Sequence, residues 1–200
     1  MGAAQAVTVS FDVNAFANSP AVDLDDAIRQ VTAANQVTLG SFAADDVFSF
    51  DAGVFGLGSN LTFANSLASG LPASGSRDVI VLQDSDNDNN LATTFNAGAA
   101  ANLIANALNT DGDGFFVYFN NLLGVNRLVY STNLNQPTAD LSILARINSP
   151  TGSVAINTLP NFTAANFAIT PVPEPRTYAL MLVGLLGAAA VARRSKKVVV

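Results

Sequence analysis

FFVYFNNLLGVNRLVYS, residues 115–131, decides the class of fold. Its two ends, Phe115 to Phe119 (FFVYF) and Arg127 to Ser131 (RLVYS), are rich in aromatic and β-branched residues, which suit a pleated surface that is at least half buried. Between them Asn120-Asn121-Leu122-Leu123-Gly124-Val125-Asn126 carries the Asn and Gly of a turn, so the stretch predicts a hairpin. Working outward, period-2 patterns predict further strands at Val7 to Val13 (VTVSFDV), Asp46 to Asp51 (DVFSFD), Asp78 to Gln83 (DVIVLQ) and Leu141 to Ile147 (LSILARI).

Helices are expected at Leu24 to Ala34 and at Thr94 to Leu108. In the second, Phe95, Ala99, Leu103 and Ala107 fall on one face at i+4 spacing, with Ala100, Ile104 and Leu108 on its flank, which predicts a helix turned toward a core. A third short helix is expected over Pro160 to Asn166. Gly53 to Ser76, rich in Gly, Ser and Asn, reads as a long surface loop broken by an extended piece at Asn60 to Ala64. These elements amount to an α+β fold: a single mixed β-sheet domain over residues 7–170 with two or three short helices. A C-terminal hydrophobic helix follows.

Half of the 200 residues are apolar, enough to bury a core, and the chain has no Cys, His or Trp. The formal charge of −6 conceals two opposed parts. Residues 1–170 carry fourteen Asp against four Arg (Arg29, Arg77, Arg127 and Arg146), a balance of −10, while the last thirty residues come to +4. An acidic body without a Lys/Arg stripe disfavours nucleic acid and leaves neutral glycans and divalent cations as partners. Without His, Cys or a body Lys there is no Ser-His-Asp or Cys-His pair, no Schiff base and no zinc site. The body is therefore expected to be non-enzymatic; paired aspartates alone could hydrolyse glycosides, so a secreted Asp-dependent glycoside hydrolase acting on extracellular polysaccharide is the enzymatic alternative.

The sharpest local signal in the body is Asp84-Ser85-Asp86-Asn87-Asp88-Asn89-Asn90, where oxygen ligands at alternate positions (Asp84, Asp86, Asp88, Asn90) can converge on Ca2+. It resembles the first half of an EF-hand loop and lacks the second, since Asn89, Ala92 and Phe95 stand where Gly, a ligand and a bidentate Glu belong. Asp111-Gly112-Asp113-Gly114 is the nearest other oxygen source, but a helix lies between the two loops and would hold them apart. The alternative is a solvated turn in which Asp88 or Asn90 begins the next helix and negative charge sits at its N-terminus.

The two ends carry an address. Tyr178 to Ala192 is an uncharged apolar run of fifteen, short for a membrane span, followed by Arg193, Arg194, Lys196 and Lys197 as a basic stop that stays cytoplasmic. With Val172-Pro173-Glu174-Pro175 upstream, the order of features over residues 171–200 resembles the PEP-CTERM sorting signal. The resemblance implies recognition by exosortase, cleavage near Pro173 to Pro175, transient insertion in the inner membrane, and export in Gram-negative bacteria that make extracellular polysaccharide and biofilm. Glu174 is the only Glu in the chain, and its flanking prolines hold the segment extended. At the other end Ala4-Gln5-Ala6 has the A-x-A form of a signal-peptidase site. No basic and apolar leader precedes it, which leaves a trimmed leader, a start assigned too far downstream, or an ordinary alanine-rich N-terminus, with residues 1–6 as remnant.

Overall fold

In the computed structural model the chain divides into two units, Met1–Thr170 and Pro171–Val200. The structure describes residues 5–17, 19, 28–86 and 93–171. In chain order the described elements are β1 (Thr8–Phe11), β2 (Val31–Thr32), β3 (Val37–Leu39), β4 (Val47–Asp51), α1 (Ala52–Phe55), β5 (Phe63–Ser66), β6 (Val79–Leu82), α2 (Ala97–Ala107), β7 (Gly114–Asn120), β8 (Val125–Ser131), β9 (Leu141–Ile147), α3 (Gly152–Thr158) and β10 (Phe167–Thr170), with 3-10 turns at Ala68–Gly70, Leu159–Asn161 and Ala164–Asn166.

The mixed sheet with few helices is as expected, but it is one of two. Seven strands form the larger sheet, in the order β2-β9-β8-β7-β6-β5 with β3 also on β9; β7, β8 and β9 run antiparallel and the outer pairings are parallel. A second, all-parallel sheet has the order β1-β4-β10. Its strands come from both ends of the domain and its middle, so no hairpin signal in the sequence announces it.

Strand β7 shows why the layers stack as they do, because all seven of its residues are buried. Phe115, Val117 and Phe119 join the cluster shared with Phe11, Phe48 and Phe50 of the small sheet, whereas Phe116 and Tyr118 join the cluster shared with α2. Strand β6 divides in the same way, Val79 and Val81 to one side and Ile80 and Leu82 to the other. The order of layers is small sheet, large sheet, helix α2. Strand β9 changes its allegiance partway: Leu141 and Ile143 face α2, Ala145 and Ile147 face the small sheet, and the register shift opposite Leu128/Val129 absorbs Leu144 as the extra residue. A β-bulge is what allows one strand to reverse its pattern without leaving the sheet.

Helix α2 lies within the span expected of it but is turned differently. Its buried residues are Ala97, Ala100, Ala101, Ile104 and Ala105, so the residues read as the flank form the centre, and Ala99, Leu103 and Ala107 are only half-buried. Its N-cap is Asn96, whose side chain accepts from the Ala99 N–H at 3.0 Å; neither Asp88 nor Asn90 begins it. Three other expectations fail for local reasons. The helix over Leu24 to Ala34 is contradicted at β2, where the Gln30 N–H is taken by the Asp140 carboxylate at 2.7 Å and Val31 pairs with Leu141. The loop over Gly53 to Ser76 takes in most of α1, capped by Asp51, while the extended piece expected at Asn60 to Ala64 overlaps β5, fastened to β6 by Thr62, which donates from both N and Oγ1 to Asp78. The third helix comes earlier, as α3, leaving only 3-10 turns over Pro160 to Asn166. The apolar run 178–192 lies outside the described residues, and among the described residues no helix is long and apolar enough to cross a membrane.

Two glycines are required by geometry. Gly124 closes the β7–β8 turn at φ 65°, and a Cβ on Gly114 would sit 2.7 Å from Leu134 Cδ1 and 2.8 Å from the Asp78 carbonyl oxygen. The substitution Gly114→Ala is expected to destabilise the domain by about 1–3 kcal/mol through overpacking. Phe115→Ala, which opens a cavity beneath the Phe50 ring, is expected to cost about 3–5 kcal/mol. Leu122→Ala in the exposed turn should stay within about 0.5 kcal/mol. Urea midpoints at unchanged m-value measure all three.

Candidate functional site

Two acidic loops and one cleft gather chemistry-bearing side chains among the described residues. Asp84 lies two residues past the end of β6, and its Oδ2 accepts the Ala68 N–H at 2.6 Å, which ties the 3-10 turn at Ala68–Gly70 to that end of the strand. Asp86 is half-buried, and Asp88 and Asn90 lie outside the described residues. The second loop precedes β7. Because β6 and β7 are parallel, with Val79 opposite Phe115, Asp111 and Asp113 lie at the Asp78 end of the sheet. Six strand positions separate Asp78 from Asp84, about 20 Å at 3.3 Å per residue, so the two loops cannot share one ion.

Each loop carboxylate at the β7 end has a protein partner. Asp111 accepts from the amides of Asn133 and Asn135 at 3.1 and 3.3 Å, and these bonds hold its carboxyl below the usual carboxylate range. Asp113 accepts from the Tyr130 hydroxyl at 2.8 Å. Burial, then the Asp113 carboxylate, pushes the Tyr130 phenol well above its ordinary pKa.

Other aspartates are also committed to the fold. Buried Asp46 accepts from Val7 N and Ala43 N, both at 2.7 Å, Asp51 caps α1, Asp78 holds Thr62, and Asp140 takes the Gln30 N–H. Among the described residues no three His, Cys, Asp or Glu side chains group so as to hold a metal ion.

The cleft, of about 200 Å³, opens beside the ends of β8 and β9 and is lined by Phe42, Asn126, Ile147, Pro150, Thr158, Phe162 and Asn166 among others. Phe42 stacks on Phe48 at 4.2 Å and on Phe162 at 5.4 Å, which commits these rings to one another rather than to a flat sugar-binding face. Asn126 is the informative residue. Its Nδ2 donates to the Ala155 carbonyl at 2.9 Å and to Thr158 Oγ1 at 3.0 Å, and since Thr158 itself donates to Ala155, the amide cannot be turned around. Its Oδ1 is buried without a donor, an arrangement that costs about 1–3 kcal/mol until a water or a ligand hydroxyl supplies one. The sequence offered one signal for this site, an Asn at the edge of an apolar strand, and that residue was assigned to the turn.

Of the residues singled out in the sequence, Ala6 is exposed just ahead of β1. Ala4, Val172, Pro173, Glu174, Pro175, Arg193, Arg194, Lys196 and Lys197 lie outside the described residues. Comparison with known proteins addresses the C-terminal segment directly. Residues 171–197 match the PEP-CTERM protein-sorting motif. No curated protein and no solved structure matches the chain.

The Tyr130–Asp113 bond makes the domain sensitive to alkali. The fold raises the pKa of the phenol, so its contribution to stability is complete below the unfolded value of about 10 and is lost as pH rises beyond it. Stability is expected to fall progressively as pH rises above about 10, and Tyr130→Phe should flatten that fall while leaving a remainder from Tyr118, whose phenol burial also raises. Denaturant titrations across that range measure both slopes.

Proposed function

We propose that the chain is an exported, exosortase-processed protein of the cell surface or extracellular matrix, whose acidic α+β domain works without catalysis in association with extracellular polysaccharide or biofilm. The sorting motif over residues 171–197 carries this reading: it marks an exosortase substrate that is held transiently in the membrane and then exported. The proposed route crosses the inner membrane of a Gram-negative cell and leaves the domain outside once the tail is removed.

The character of the domain supports a binding or structural role. Residues 1–170 contain no His, Cys or Lys, and among the described aspartates Asp51, Asp78 and Asp113 are engaged in a backbone cap, a strand tie and the Tyr130 bond. A strongly acidic surface keeps such a domain soluble among neutral glycans. Ca2+ held by Asp84, Asp86, Asp88 and Asn90 would bridge that surface to hydroxyl-rich polymer, with Asp84 offering the oxygen that Ala68 leaves unused.

Glu174→Ala separates the address from the rest. Full-length precursor is expected to accumulate in the membrane fraction, several-fold over the parent, with the domain still folded. Release of mature protein unchanged in size and amount, followed by immunoblot of membrane and medium, would overturn the assignment.

A further inference from the structure

One face of the large sheet carries a row of four side chains, two of them arginines that no role above uses. Tyr118 in β7 is opposite Arg127 in β8, Arg127 is opposite Arg146 in β9, and Arg146 is level with Thr38 in β3. The row lies on the α2 side, next to the Phe116, Val129 and Ile143 row that packs in the α2 cluster.

Directly opposed cross-strand residues have their Cβ atoms about 4.5–5.5 Å apart, and like charges in that relation repel. The domain has only four cations, so placing two of them side by side is a costly use of them. The other two are accounted for locally. Arg29 donates from Nε to Ala139, from Nη1 to Gly98 and from Nη2 to Pro137, all carbonyls, and Arg77 donates to the carbonyl of its neighbour Ser76. Arg127 donates from Nη2 to Gln36 Oε1, a neutral acceptor, and its Nε is buried without a partner. Arg146 makes no hydrogen bond among the described residues, and its Nε is likewise buried and unpaired. Among the described residues neither guanidinium has a hydrogen bond to a carboxylate. The Tyr118 hydroxyl, which receives the Asn120 amide at 3.0 Å, stands beside Arg127 as a further polar group.

Two guanidinium groups on directly opposed residues, each with an Nε donor unfilled, suit an oxyanion, which accepts several N–H bonds at once and cancels the repulsion between them. We propose that Arg127 and Arg146 form an oxyanion-binding site, for the carboxylate of a uronic sugar or for a phosphate group. The uronate source rests on the polysaccharide association proposed above; the oxyanion site itself does not.

The full chain, and variants of it, can be melted in the presence of sodium phosphate, sodium galacturonate, galactose, and sodium chloride at matched ionic strength. Phosphate, galacturonate or both are expected to raise the melting temperature by about 3 °C at ten times Kd, beyond any effect of chloride or galactose. Arg146→Gln should abolish that shift. Arg77→Gln, which removes the same charge elsewhere, should keep it. Because Arg146 has no hydrogen bond to lose among the described residues, Arg146→Gln without oxyanion at low salt should melt no lower than the parent, and any gain should fade at high salt as the charges are screened. A shift equal to that of chloride, or one that persists in Arg146→Gln, overturns the site. Phosphate binding without galacturonate binding leaves the site standing and removes the uronate source, which separates its failure from that of the polysaccharide association. Co-sedimentation with polygalacturonate that Arg146→Gln loses identifies the polymer-borne carboxylate as the source.

Discussion

The stack of Phe50 on Phe115, with ring centroids 3.8 Å apart and planes 16° from parallel, joins the two sheets, and the rest of the domain depends on it. It requires β7 to be buried on the small-sheet side while Phe116 and Tyr118 fill the other side against α2. A strand without a solvent face accepts neither a polar residue at its centre nor a slip of one position, since a slip would exchange the two packed surfaces. Gly114 belongs to the same constraint, for β7 begins where Leu134 and the Asp78 carbonyl leave no room for a side chain. The bulge at Leu144 is its counterpart in β9, where the surface to be filled changes along the strand.

What the sequence disclosed follows the distance over which the physics acts. Strand β9 occupies Leu141–Ile147 as expected, and β7 and β8 extend the expected runs by a residue or two, because aromatic and β-branched runs and a Gly turn act within a few positions. The small sheet was legible only in part: β1 and β4 lie within strands that were expected, but β10 and the pairing were not. Its parallel strands β1, β4 and β10 are brought together from residues 8, 47 and 167 onward, and nothing near any one of them encodes its neighbours. Short β2 shows the opposite error: within the helix expected over Leu24 to Ala34, Asp140 captures the Gln30 N–H and Val31 pairs with Leu141. For α2 the period was right and the centre of the face was not, because small Ala100 and Ala101 allow closer approach to the sheet than Leu103 would.

The candidate sites divide along the same line. The sorting motif is linear, read in order by a processing enzyme, and so its residues announced it at once. The Asn126 cleft and the arginine row are products of strand pairing: Asn126 is opposite Ile147 and Arg127 opposite Arg146, contacts between residues about twenty positions apart. Acidic loops are ambiguous for a related reason. Alternating carboxylates look alike whether they face an ion or a backbone N–H, and Asp84, Asp46 and Asp51 each have a N–H to accept.

Strand β10 ends at Thr170, one residue before the sorting motif begins, and it lies parallel to β4 with Ile169 opposite Phe50 and Thr170 opposite Asp51. The Ser49 and Thr170 hydroxyls meet at 2.7 Å at that end. Mechanically, the tether is therefore attached to a ladder rather than to a loop. A pull along the chain at Thr170 runs in the direction of the strand and loads the rungs between β10 and β4 together, in shear, instead of opening them one after another. A force transmitted through the chain beyond Thr170 therefore meets the domain at a strand held on its whole length by β4, not at a free loop.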